Sequence, residues 1–219
     1  MSLEGKISLG IEARVQGGMM SVQSAIAWYW VWAQSSIDRY EAARAARARL
    51  LETPDGQRHL PMMDEFHASL HALAACAFSL EALSNDVCQD KAIAAIKSTP
   101  PKPSTRDLNR GDYIAALLGQ LCHLSAKQEA VGDLFALRNA AVHPEFELAP
   151  SPFHAPIGSH VPAPITKYTV DAAGTYLEIL KTVFSDLISS NETLPEAWIR
   201  ANRAHLQQIV DRVSSVLSS

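Results

Sequence analysis

The stretch from Ala68 to Leu83 constrains this chain most, because its only polar residues are Ser69, His71, Ser79 and Glu81. A helix that is apolar nearly all round is stable only where every face meets an apolar neighbour, in the middle of other helices. The sequence therefore predicts a helix from about Asp64, acting as its cap, to about Cys88, at the centre of an all-α bundle. The 219 residues are 47% hydrophobic, enough to build a core around such a helix, and this excludes a disordered chain.

The flanking segments supply its partners. From about Ser21 to Leu51 no Pro or Gly interrupts an Ala- and Arg-rich run that carries Trp28, Trp30 and Trp32 early. This predicts a long helix, ended before the turn signal Pro54-Asp55-Gly56. Ahead of it, Ile7, Leu9, Ile11, Ala13 and Val15 alternate with Ser8, Gly10, Glu12 and Arg14, the period of a half-buried strand closed by Gly17-Gly18. Ser98 to Gly111 is expected as a loop, followed by helices over about Asp112 to His123 and Ala126 to His143. Six prolines between Pro144 and Pro164 argue against regular helix there. Ile165 to Val170 is strand-like in composition and is a candidate partner for the N-terminal strand. Thr169 is placed to cap a helix from Val170 to about Ser190, and a last amphipathic helix from Pro195 spaces Ile199, Leu206 and Val213 seven apart. The expected organisation is an N-terminal strand or extension over 1–18 and an up-and-down bundle of four main helices over 19–190. A C-terminal helix over 191–219 packs on the bundle or on a partner protomer.

Lys and Arg number 19 against 23 Asp and Glu, a net charge of −4 that excludes a broad nucleic-acid-coating surface but not a local basic patch. The best such patch is the run Arg39, Arg44, Arg47, Arg49 and Arg58, followed by Lys102, Arg106 and Arg110. Three dispersed cysteines, Cys76, Cys88 and Cys122, read as reduced core thiols of a cytoplasmic protein. No signal peptide is expected, since no charged segment followed by an apolar one is read at the start of the sequence. Met19 to Ala33, interrupted by Ser21, Gln23 and Ser24, is too short to span a membrane and reads as buried helix. Neither a cofactor nor a metal is expected. No phosphate-cradling Gly-rich loop is present, and His67 and His71, four apart on one helix, lack a third ligand.

The chemistry-bearing stretch is Arg138-Asn139-Ala140-Ala141-Val142-His143-Pro144. On a helix Val131, Leu134, Phe135 and Val142 share one face, with Arg138 in its middle and His143 at its edge, one turn beyond Asn139. An arginine in an apolar stripe needs a counter-charge or a polar cleft. Glu81 poses the mirror problem, and an Arg138–Glu81 contact resolves both.

An arginine, a polar residue and a histidine at the end of a bundle helix resemble the Rx4–6H motif of the HEPN superfamily (higher eukaryotes and prokaryotes nucleotide-binding domain). Phe78 to Leu83, with Asn85 following, is similar to the helix that faces this motif in the family. The resemblance covers about Ser21 to Ser190. It implies a homodimer with two facing motifs that form a metal-independent endoribonuclease site, of toxin–antitoxin or phage-defence type. It assigns His143 as acid/base, Arg138 as phosphate clamp and Asn139 as orienting group, with Glu81 and Asn85 in support, RNA as substrate and a cognate antitoxin as partner. Arg200 and His205 repeat the spacing, but Ala201 replaces the polar residue and no role is given to them.

Two other readings stand beside it. One is a non-catalytic HEPN-like dimer that binds a nucleotide or a partner such as a nucleotidyltransferase, with Arg138 serving only to neutralise Glu81 and His143 only to cap a helix. The other is a helical scaffold that oligomerises through its last helix.

Overall fold

A computed structural model describes residues 10–16, 19–25, 27–89, 110–121, 128–142, 151–154, 158–189 and 196–219. The fold is all-α. Its helices among the described residues are α1 (Trp28–Glu52), α2 (His59–Gln89), α3 (Arg110–Leu121), α4 (Gln128–Val142), the single-turn α5 (Ala163–Lys167), α6 (Val170–Ser189) and α7 (Glu196–Ser218). Two hairpins add β1 (Gly10–Gln16) with β2 (Met19–Ala25), and β3 (Phe153–His154) with β4 (Ser159–His160).

Helix α2 takes the central position its composition demands. It contacts α1, α3, α4 and α6, most extensively α1. Ala72, Leu73, Ala75, Cys76, Ala77, Leu80 and Leu83 are buried there. By length and composition 59–87 is also apolar enough to cross a membrane, and 56% of its most apolar window is buried inside the bundle. Of the four polar residues of the stretch, the buried Ser69 hydroxyl has no hydrogen-bond partner among the described residues, and the other three are accommodated individually. Ser79 donates to the Tyr29 carbonyl at 2.7 Å, His71 is exposed, and Glu81 meets an arginine. Burial pushes the Cys76 thiol up to about 12, so it is an unreactive core group, as read from its surroundings.

Helix α7 packs on α6 and α1 through Ile199, Leu206 and Val213, all buried. Arg212 fixes it to α1 through hydrogen bonds to Gln34 and Asp38. The apolar face that the scaffold reading needs for oligomerisation is therefore consumed within the chain. Thr169 caps α6, its hydroxyl accepting from the Ala172 N–H at 3.3 Å.

Four local expectations are corrected. Residues 19–25 form a strand, so the helical bundle begins at Trp28 rather than 19. The register pairs Gln16 with Met19, and Gly17-Gly18 in the sequence is a two-residue hairpin signal that outweighs the apolar content of the next segment. Ile165 to Val170 forms no strand with the N-terminus: β1 pairs with β2, and the segment divides between α5 and the start of α6. Pro164 is tolerated in α5 because it occupies the first turn, where its missing N–H has no intrahelical partner. Asp64 does not cap α2, which begins a turn earlier at His59 and leaves Asp64 to pair with Arg49 at 3.0 Å. The basic loop from Ser98 lies outside the described residues up to Asn109, and its last two residues, Arg110 and Gly111, open α3.

Candidate functional site

The site is built on α4 and α2. Val131, Leu134 and Phe135 bury one face of α4, and α3 comes close enough that a Cβ on Gly111 would lie 2.5 Å from that of Phe135. The same face carries Arg138 one turn further on. Opposite it, Phe78 and Glu81 sit three residues apart on α2, which places them on one side of that helix.

Arg138 Nη2 donates to Glu81 Oε2 at 3.0 Å, and Nη1 donates to Asn139 Oδ1 at 2.8 Å. Its guanidinium carbon lies 4.9 Å from the centroid of the Phe78 ring, within cation–π range. The Arg138 and Glu81 side chains are 20% and 18% exposed, so the pair lies at the edge of the core rather than within it. Arg138 Nε is buried and has no acceptor among the described residues. A guanidinium has five N–H donors, so two hydrogen bonds leave donors available for an anion. Nearby, the Tyr168 hydroxyl donates to the Leu137 carbonyl at 2.8 Å and braces this end of α4.

Behind Phe78 the aromatic contact continues into α1. The Trp32 ring lies 5.0 Å from Phe78 at 41°, and Trp32 remains 36% exposed. Trp28, four residues earlier on the same side of α1, is 56% exposed. Trp30 turns the other way, against His205, and its indole N–H donates to Gln208 at 3.3 Å. The three tryptophans are thus not one cluster: helical spacing sends Trp30 to a different face.

Of the sequence-predicted site residues, the structure brings Arg138, Asn139 and Glu81 together. Asn85 follows Glu81 one turn later on α2. His143 lies outside the described residues, one position beyond the end of α4. The favoured basic patch is largely spent inside the chain. Arg47 pairs with Glu65, Arg49 with Asp64 and Arg58 with Asp55, while Arg44 donates to the Val216 carbonyl. His67 and His71 are exposed, and no cluster of metal-ligating residues occurs among the described residues. A cavity of about 670 Å³ opens at the start of α7 between Glu196, Ile199, Arg200 and Arg203, with none of Arg138, Asn139 or Glu81 in its lining.

One polar cluster was not anticipated. Glu65, buried on α2, accepts from Arg47 Nε at 2.7 Å and Nη2 at 2.6 Å, and from the Val170 N–H at 3.2 Å. His154, on β3, is 6% exposed beside it, and its Nδ1 has no partner among the described residues. Burial holds His154 below the usual histidine range, with Glu65 drawing it up and Arg47 down. The one signal in the sequence was Glu65 itself, a carboxylate among Met62, Met63 and Phe66.

Comparison with protein-family models, curated proteins and solved structures returns no match to this chain.

Proposed function

We propose that the chain is a HEPN-like, metal-independent endoribonuclease whose active site is shared between two protomers. The observation that carries the reading is Arg138, held at the rim of the core by Glu81 and Asn139 at the end of α4, where the family pattern requires its anion-binding arginine. In the proposed reaction one His143 imidazole takes the proton of a ribose 2′-OH as its oxygen attacks the adjacent phosphorus. The second His143, protonated, delivers a proton to the departing 5′-oxygen. The spare N–H groups of Arg138 stabilise the charge that develops on the phosphorane oxygens. The products are a 2′,3′-cyclic phosphate and a 5′-OH. Glu81 acts as a positioning residue through the guanidinium.

The test is cleavage of mixed-sequence RNA by the purified chain in chelator, with end-group analysis of the products. Cyclic phosphate ends that disappear in His143→Ala and in Arg138→Ala support the reading. Equal cleavage by wild type and His143→Ala, or none by either, overturns it.

A second reading is favoured by the charge balance. With a net charge of −4, and with Arg138 neutralised by Glu81, general attraction for RNA is small. A non-catalytic dimer that uses the same residues to hold a nucleotide or a partner protein then replaces the nuclease, and it predicts binding without cleavage.

A further inference from the structure

Trp28 and Trp32 are large aromatics left exposed on a chain with ample core to bury them. They are not isolated: Trp32 packs against Phe78 with the rings tilted, and Phe78 carries the Arg138 guanidinium on its ring. The sequence of groups is aromatic face, aromatic spacer, cation. A single-stranded nucleic acid presents the matching sequence of base face, sugar and phosphate, and base–aromatic stacking accepts any base. We infer that Trp32, extended by Trp28, is a base-stacking platform that seats unpaired RNA next to Arg138.

This rests on the RNA-directed reading of Arg138 and specifies its substrate class: single strands or loops rather than duplex, because only unstacked bases can leave their neighbours for an aromatic side chain. Two features favour this occupant over a second copy of the chain. The exposed parts of the two rings amount to roughly one tryptophan's surface, about 230 Å². A stable dimer needs on the order of 800 Å² from each partner. The patch also runs directly into a charged pair, whereas the buried centre of an interface is depleted of charge. Because Glu81 offsets Arg138, the affinity comes mainly from stacking, and its salt dependence should be shallow, a logarithmic slope of about −0.7 for one phosphate neutralised on a single strand.

The experiment measures binding of fluorescein-labelled 2′-O-methyl oligoadenylate, about ten nucleotides long, to the full chain by anisotropy. The blocked 2′-oxygen keeps binding separate from cleavage. An abasic oligomer of equal length and a blunt 2′-O-methyl duplex are the controls. Trp32→Ala should weaken oligoadenylate binding by about 5- to 150-fold, the range for one lost base stack. Trp32→Phe should recover most of it, and the abasic oligomer should bind weakly with or without Trp32. Circular dichroism checks that each variant is folded. Equal affinity for abasic and base-bearing strands, preference for the duplex, or no effect of Trp32→Ala overturns the inference. So does a dimer that becomes a monomer in Trp32→Ala with RNA binding unchanged, since the patch is then a contact between copies. Base-dependent binding by a chain that cuts no RNA upholds the platform and overturns only the nuclease.

Discussion

Helix α2 carries two glutamates that each meet an arginine, Glu65 with Arg47 and Glu81 with Arg138. They stand sixteen residues apart, about 24 Å along the axis and on nearly opposite sides. The first pair is bidentate, and its carboxylate also receives the first N–H of α6, so that three donors compensate a charge that is 4% exposed. The second is single-toothed and partly wet, and its arginine also leans on an aromatic ring and keeps donors in reserve. One arrangement directs three hydrogen bonds of Arg47 within the chain, two to Glu65 and one to Asp171, and so holds α1, α2 and α6 together. The other leaves capacity for something outside the chain. Ion pairs of one composition on one helix thus separate into a structural clamp and a candidate site by the burial of the carboxylate and by a bidentate against a single contact.

Breaking the clamp should give the largest effect. Glu65→Ala or Arg47→Ala leaves the other charge buried and should cost about 3–5 kcal/mol in urea unfolding. The double change Glu65→Leu with Arg47→Met should recover much of that loss. A single-mutant cost near that of Arg138→Ala would erase the distinction between the pairs.

Arg138→Ala and Glu81→Ala should each cost only about 1–2 kcal/mol in the same measurement, between the exposed and the buried limits. Arg138→Lys, which keeps the charge but loses the planar fork over Phe78, should be folded yet weakened in RNA binding and cleavage. If it binds and cuts like wild type, geometry is not what distinguishes this arginine.

A smaller change probes the clamp from its third member. Thr169→Ala removes the cap beside the Val170 N–H and should cost about 1 kcal/mol. Amide exchange should rise in the first turn of α6 while Arg138 stays unperturbed.

The slightest effect concerns pH. His154 is held below the usual histidine range by burial, so between the folded value and about pH 6.5 the unfolded chain binds a proton that the folded chain does not. Its contribution is fully present above about pH 6.5 and is lost as pH falls toward the folded value. The urea midpoint should drop more between pH 7 and pH 5 in wild type than in His154→Gln. Parallel curves would place the pH sensitivity elsewhere.

Much of this could be read from local pattern. The all-α class, the central place of α2, the Thr169 cap and the buried Ile199, Leu206 and Val213 follow from periodicity and capping, which depend on near neighbours in the chain. The Arg138–Glu81 contact was also legible, because each residue interrupted an apolar stripe and so demanded a partner. The strand at 19–25 was not, since a run such as Met19 to Ala25 suits helix or strand until a partner strand pairs with it. The fate of the basic run was hidden for a related reason. Whether Arg47 faces solvent or Glu65 depends on how α1 is rotated against α2, and that is fixed by packing over the whole interface. What the sequence alone determined is that this chain buries α2 among helices and must compensate Arg138 and Glu81. Only the tertiary structure decided that Arg47 is taken into a buried clamp and that exposed aromatic side chains lead to the half-buried Arg138. Hydrophobic periodicity is a property of neighbours in sequence, whereas the completeness of a hydrogen-bond set is a property of neighbours in space.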